Sequence, residues 1–172
     1  ITKWVVDSSI DNGRDKVTIG EKVIYGVNVT LPVGNYTKLV IKDTLPQGFE
    51  YIGADAFYAN GTKLVNGKDW TVNVNNYDIT ITINNVHSND FANGVLSINL
   101  TARPTIFDPS NKEGAVKVNN VELFLNDKTM GRSSAKVTIV EPTADITKKF
   151  NVTEVEGLDH VSFDVIVKNN GK

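Results

Sequence analysis

The run Val23-Ile24-Tyr25-Gly26-Val27-Asn28-Val29-Thr30-Leu31-Pro32, followed by Leu39-Val40-Ile41-Lys42-Asp43-Thr44-Leu45-Pro46, decides the fold. Val23, Tyr25, Val27 and Val29 alternate with smaller or more polar neighbours, and Leu39, Ile41 and Asp43 keep the same two-residue period. That period belongs to β-strands that each turn one face to a core. Asp43 falls on the apolar face, where a solvated carboxylate does not belong. The misplaced acid is the first sign of chemistry in the chain.

Outward from this pair, short β-rich runs recur between clusters of Gly, Asn, Asp and Pro. Residues 1–6, 49–52, 63–65, 70–74, 77–83, 95–101, 115–125 and 135–140 read as further strands. Residues 7–16 read as a loop, and the composition of 104–113 allows one helical turn at most. Asn75-Asn76 reads as a hairpin turn, because asparagine tolerates positive φ. About ten short strands at this spacing predict an all-β, Greek-key, Ig-like antiparallel β-sandwich. No strand–helix alternation supports a parallel α/β sheet.

The composition fits that class. Of 172 residues, 40% are hydrophobic and 22% charged, as in an ordinary globular protein. The net charge of −2 comes without a basic block, so nucleic acid and anionic membrane surfaces are poor partners. No apolar run approaches the roughly 20 residues of a membrane span, which predicts no membrane insertion in this segment. The strand-like opening at Ile1 predicts a piece of a longer precursor. With no cysteine, disulfides and thiolate metal sites are excluded. His87 and His160 lie far apart in polar settings and read as solvated, so no metal or other cofactor is expected. Five Asn-x-Ser/Thr triplets, at Asn28, Asn35, Asn60, Asn99 and Asn151, permit glycosylation only in an exported chain.

Glu141-Pro142-Thr143 marks a boundary at which the sequence starts again. Ile146-Thr147-Lys148 repeats Ile1-Thr2-Lys3 at an offset of 145, and residues 161–167 echo 23–29 at an offset of 138. This predicts a first domain over 1–141, then a linker and an incomplete second repeat of two strands over 142–172. Two strands cannot bury a core alone. Either further repeats follow, or residues 144–172 add strands to a neighbouring subunit.

The chain resembles the isopeptide-forming domains of Gram-positive pilins and related repeats of bacterial and archaeal surface adhesins. The likeness rests on Ile-Thr-Lys at 1–3 and 146–148, Gly20-Glu21-Lys22-Val23-Ile24-Tyr25 and Lys42-Asp43-Thr44-Leu45-Pro46-Gln47-Gly48-Phe49-Glu50-Tyr51. It continues through Gly67-Lys68-Asp69-Trp70-Thr71-Val72 and Val118-Asn119-Asn120-Val121-Glu122-Leu123, in the family's order. The resemblance implies an extracellular, cell-surface stalk or shaft domain. Such domains often carry one internal Lys–Asn amide bond, formed with the help of a nearby carboxylic acid.

Strand parity tests this chemistry. Lys3 shares a face with Ile1 and Val5, Asp43 with Leu39 and Ile41, and Asn119 with Val121, Leu123 and Leu125. If those faces point inward, burial lowers the lysine pKa and raises the aspartate pKa, giving a neutral amine beside a protonated acid. Asp43 would then act as the catalytic acid for a bond between Lys3 and Asn119. Asn120 is the rival acceptor and Asn126 a remoter one. Trp4 and Val6 also alternate, which would bury the opposite face of the first strand and leave Lys3 in water. A plain Lys3–Asp43 salt bridge, with Asn119 bonded to backbone, is the simpler alternative.

Enzymatic turnover is not expected, since Gly-x-Ser-x-Gly, phosphate-cradling glycine loops and His-Glu-x-x-His are absent. Glu154 and Glu156 read as a solvated edge, and Asp108 and Asp127 as turn residues. The sequence thus points to a structural module of a pilus, surface filament or repeat adhesin, partnered by copies of itself or adjacent repeats, with a host or glycan ligand possible. The alternative is a glycan-binding or enzyme-accessory β-sandwich. It would need exposed aromatics, whereas Trp4, Tyr51, Phe57, Tyr58, Trp70 and Tyr77 read mostly as core.

Overall fold

The alternation over 23–44 is realised as two strands that lie in different sheets. The computed structural model describes residues 1–8, 14–31, 36–57, 62–84, 95–140, 144–150 and 163–169. Their strands are β1 (Thr2–Ser8), β2 (Lys16–Thr18), β3 (Val23–Val29), β4 (Leu39–Thr44), β5 (Phe49–Phe57) and β6 (Trp70–Asn75). There follow β7 (Asp78–Ile83), β8 (Leu96–Pro104), β9 (Val116–Leu125), β10 (Lys128–Val140), β11 (Ala144–Phe150) and β12 (Phe163–Asn169). One sheet has the order β1-β3-β8-β5 and the other β2-β10-β9-β4-β7-β6. Within the sandwich, only β6–β7 and β9–β10 are neighbours both in sequence and in a sheet, so the chain repeatedly crosses between layers. Side chains from both inner faces make one core, including Tyr25, Val27, Leu39, Ile41, Trp70, Ile81, Ile98 and Leu123.

Several boundaries differ from the sequence reading. Lys16–Thr18, of which Lys16 reads as loop and 17–18 as no element, pairs in parallel with 138–140 of β10, the one parallel ladder among the described strands. Three residues are too few to show a period. β5 continues to Phe57 past a register shift between Tyr51 and Gly53, and such bulges interrupt strict alternation. β10 starts seven residues earlier than the apolar pattern suggests, at Lys128. Its turn residues Asn126 and Asp127 adopt φ of 47° and 65°, the two-residue hairpin geometry that fixes register. Residues 63–65 form only an isolated bridge, to Phe57. Residues 104–113 contain turns and no helix. Asn35, Asn60, Tyr58, His87, Asn151, Glu154, Glu156 and His160 lie outside the described residues.

β11 and β12 pair in the same register as β1 and β3. Lys3 stands opposite Val27 and Val5 opposite Tyr25 in β1–β3. In β11–β12, Lys148 stands opposite Val165 and Phe150 opposite Phe163, the same pairs displaced by the two sequence offsets.

Candidate functional site

Which face of β1 turns inward is settled by its neighbour in β3. Trp4 pairs with Gly26, and a Cβ built on Gly26 would lie 2.5 Å from the indole ring. The ring thus occupies the space left by the missing side chain, on the outer surface, and remains 40% exposed. Lys3, one residue back, points into the sandwich. Its side chain is wholly buried, as is that of Asp43 at 1% exposure.

Register brings the distant parts together. Ile1 packs against Gly131, and the Lys3 backbone N–H donates to Ser133 Oγ at 2.9 Å. β1 therefore runs beside β10 in the same direction. Ser133 stands opposite Val121 of β9, which stands opposite Asp43 of β4. Lys3 and Asp43 consequently share a level, and Lys3 Nζ donates to Asp43 Oδ2 at 2.5 Å. Two residues along, Ala135 stands opposite Asn119 and Val5 opposite Tyr25, so Asn119 and Tyr25 occupy the next level from opposite sheets. The ring of Tyr25 also lies under the lysine, 4.9 Å from Nζ.

Burial dominates the electrostatics. Desolvation lowers the Lys3 pKa against the opposing pull of Asp43. It raises the Asp43 pKa against Lys3 and, more weakly, the Asn119 amide. Both shifts move the pair toward its neutral form, an amine beside a carboxylic acid. Desolvation, then the Asp43 charge, holds the Tyr25 phenol protonated well above its usual range. Asn119 approaches Asp43 closely enough to favour the carboxylate, yet neither its Oδ1 nor its Nδ2 completes a hydrogen bond. Among the described residues, five buried side-chain polar atoms lack a partner, and four are here: Asp43 Oδ1, both amide atoms of Asn119 and Tyr25 Oη. Buried polar groups are normally satisfied, so this concentration calls for an explanation beyond packing.

The remaining candidates stand elsewhere. Asn120 is exposed on the outer face of its sheet, in a groove of about 540 Å³ with Lys42, Thr44, Asn73, Asp78 and Arg132. None of the described residues lining that groove is aromatic. Asn126 accepts from the Thr37 and Lys38 backbone N–H groups at 2.9 and 3.2 Å, tying the β9–β10 turn to the start of β4. Of the aromatics read mostly as core, Trp70 is buried, Tyr51 and Phe57 are half-buried, and Trp4 and Tyr77 are exposed. Tyr25 was not singled out for chemistry from the sequence, although its parity with Val23 and Val27 already placed its hydroxyl inside.

No family profile and no curated protein matches the sequence. The fold, in contrast, is that of Gram-positive pilin and adhesin domains. The N-terminal domain of the Streptococcus gordonii adhesin Sgo0707 is 14% identical with a TM-score of 0.61, over 72% of this chain and 29% of that one. A C-terminal fragment of the major pilin GBS80 of Streptococcus agalactiae is 15% identical with a TM-score of 0.59, over 84% of this chain and 56% of that one. The full-length major pilin SpaD of Corynebacterium diphtheriae is 14% identical with a TM-score of 0.54, over 78% and 33%. The chain thus spans between 29% and 56% of the length of these three solved chains.

Proposed function

We propose that this chain is a load-bearing module of a cell-surface pilus, filament or repeat adhesin, locked by an amide bond between Lys3 and Asn119. The observation that carries the reading is the buried Lys3–Asp43 pair set beside an asparagine whose amide is otherwise unbonded. Proton transfer from Lys3 to Asp43 leaves a free amine, which attacks Cγ of Asn119. As the new C–N bond forms, the carbonyl π electrons move to Oδ1. The intermediate collapses with loss of the amide nitrogen as ammonia, which takes up a proton originally on Lys3. A second proton from Lys3 stays on Asp43, and the third remains on the new amide. Charge and protons balance, and no external reagent enters.

The product would join β1 of one sheet to β9 of the other. Tension entering at the first strand and leaving at the end of β10 would then bypass everything between residues 3 and 119. Closing a loop of over about 100 residues stabilises by about 4–5 kcal/mol on an entropic account, without cysteine. Intact-mass measurement tests the bond: the chain should be lighter by one ammonia, and Lys3→Ala, Asp43→Ala or Asn119→Ala should restore the full mass. A wild-type chain of unmodified mass rejects it.

Residues 144–172 are read as the opening of a second repeat. The register identity of β11–β12 with β1–β3 supports this, because β3 takes β8 as its next neighbour and β12 has an equivalent edge. A further strand beside β12 would come from the same chain or from an adjacent subunit. Light scattering across a concentration series separates the two: a monomer throughout removes strand addition between subunits.

A further inference from the structure

The geometry points to Tyr25 as a catalytic residue of the crosslinking reaction, its hydroxyl donating to the oxygen of Asn119 when that oxygen becomes negatively charged. This rests on the crosslinking reading above and adds to it a group that the acid–amine–amide trio does not contain.

Three observations converge. First, Tyr25 is fully buried, yet its hydroxyl has no hydrogen-bond partner among the described residues. A phenylalanine would fill the same core space without a stranded donor, and the second copy has Phe163 at the matching register position. Packing alone therefore does not account for the oxygen. Second, the register β3–β1–β10–β9 sets Tyr25 level with Asn119, from the opposite sheet. Third, the Tyr25 ring lies against the attacking nitrogen, 4.9 Å from Lys3 Nζ. The same side chain thus holds the nucleophile over its ring and has a free donor at its tip.

Asp43 cannot serve every need of the reaction at once. It must receive a proton from Lys3 and pass one to the departing nitrogen, so its hydrogen-bond donation to the oxyanion is interrupted. A donor that never ionises complements it. The phenol stays protonated, because desolvation and the Asp43 charge both oppose its ionisation. It gives up no proton in the balance: it donates a hydrogen bond to Oδ1 as that oxygen gains charge and keeps its hydrogen when the carbonyl reforms. A donor aimed at developing charge in a water-excluded site commonly changes rate by about 10²–10³-fold.

The test is the rate of ammonia loss, followed by intact mass as the full chain, synthesised and held in denaturant so that it has never folded, is diluted into folding conditions. Tyr25→Phe should slow crosslinking by at least about tenfold, in line with loss of one oxyanion donor. In an uncrosslinkable Asn119→Ala background, adding Tyr25→Phe should leave the thermal midpoint equal or higher. Placing 3-fluorotyrosine at position 25, which alters phenol acidity at nearly constant shape, should change the rate and leave that midpoint unmoved. Crosslinking of Tyr25→Phe at the wild-type rate overturns the assignment. So does a lowered midpoint in the Asn119→Ala background that accounts for the slowing. An uncrosslinked wild type is a different failure, since it removes the reaction itself.

Discussion

Trp4 covers Gly26, and the fit leaves no room for a side chain beneath the indole: a Cβ at position 26 would come within 2.5 Å of the ring. The outward lodging of Trp4 is what commits Lys3 to the interior, because neighbouring residues of a strand face opposite ways. Gly26→Val should therefore displace the indole and loosen β1, lowering stability by about 1–3 kcal/mol. Urea denaturation in the Asn119→Ala background measures it, and an unshifted midpoint would show that Trp4 does not anchor the strand. At the matching register position of β11–β12, Lys149 stands opposite Asp164.

The buried ion pair makes an asymmetric prediction. Removing one partner of such a pair strands a charge and typically costs about 3–5 kcal/mol, whereas replacing both with apolar residues is often neutral or better. In the Asn119→Ala background, Asp43→Asn should thus destabilise strongly, while Lys3→Met combined with Asp43→Leu should regain most of the loss. Equal destabilisation by the single and double changes would mean that the pair is held for its own stability. Recovery would mean that a charged pair was kept at a site where hydrophobic residues serve the fold equally well.

Crosslinking should depend on pH as a bell. The competent state holds one transferable proton on the Lys3–Asp43 pair beyond the neutral amine and carboxylate. Acid adds a second and blocks the amine; base removes the only one and with it the acid. Burial raises the Asp43 pKa above its usual 3.8, so the acid limb should lie at higher pH than a surface aspartate would give. Burial lowers the Lys3 pKa below 10.5, so the alkaline limb should lie at lower pH than a surface lysine would give. Initial rates of ammonia loss between mild acid and mild alkali check both limbs. A rate that climbs steadily with pH up to the range of an ordinary lysine would show that the amine is not desolvated.

How far the sequence carried this depends on the interaction involved. The two-residue period exposes inward-facing Asp43 directly, since parity is local and needs no partner strand. For Lys3 the parity was ambiguous, and the deciding contact was Trp4 against Gly26 across a ladder, which no local pattern contains. Asn120 and Asn119 could not be separated until β9 acquired a core side. β2 and the early start of β10 escaped for a related reason: one is too short for a period, and the other begins as a hairpin arm whose first residues are polar. The Tyr25 hydroxyl was hidden in plain view, because alternation counts tyrosine as an apolar core residue and ignores its oxygen.

Asn111 predicts how the 105–114 loop is held. Its Nδ2 donates to the carbonyls of Gly48 and Thr105 at 2.8 and 2.9 Å, and Gly48 takes a φ of 85° directly beneath the amide. Lys117 adds to the same corner by donating to Gln47 O at 2.9 Å. Asn111→Ala would leave the Thr105 carbonyl without this donor and remove one of the three that Gly48 O accepts from, costing about 1–3 kcal/mol. Hydrogen exchange should quicken at the Thr105 N–H, which donates to Gly48 O, before it does in the central strands. Uniform acceleration across the sandwich would instead mean that the loop is not an independent unit.

The repeated lysine supplies the sharpest count. Lys148 occupies the register position of Lys3, opposite Val165 as Lys3 is opposite Val27. The bond proposed for Lys3 draws on an acid on β4 and an amide on β9, whereas the described residues after 142 hold counterparts of β1 and β3 alone. Lys148 should therefore remain a free amine while Lys3 is consumed. The chain should lose one ammonia, not two, and Lys148→Met should leave the deficit intact whereas Lys3→Met abolishes it. Peptide mapping after proteolysis should recover Lys148 unmodified and a branched peptide joining the segments around residues 3 and 119. A deficit that instead follows Lys148 would transfer the reactive role to the second copy and require its acid and amide to come from a neighbouring molecule.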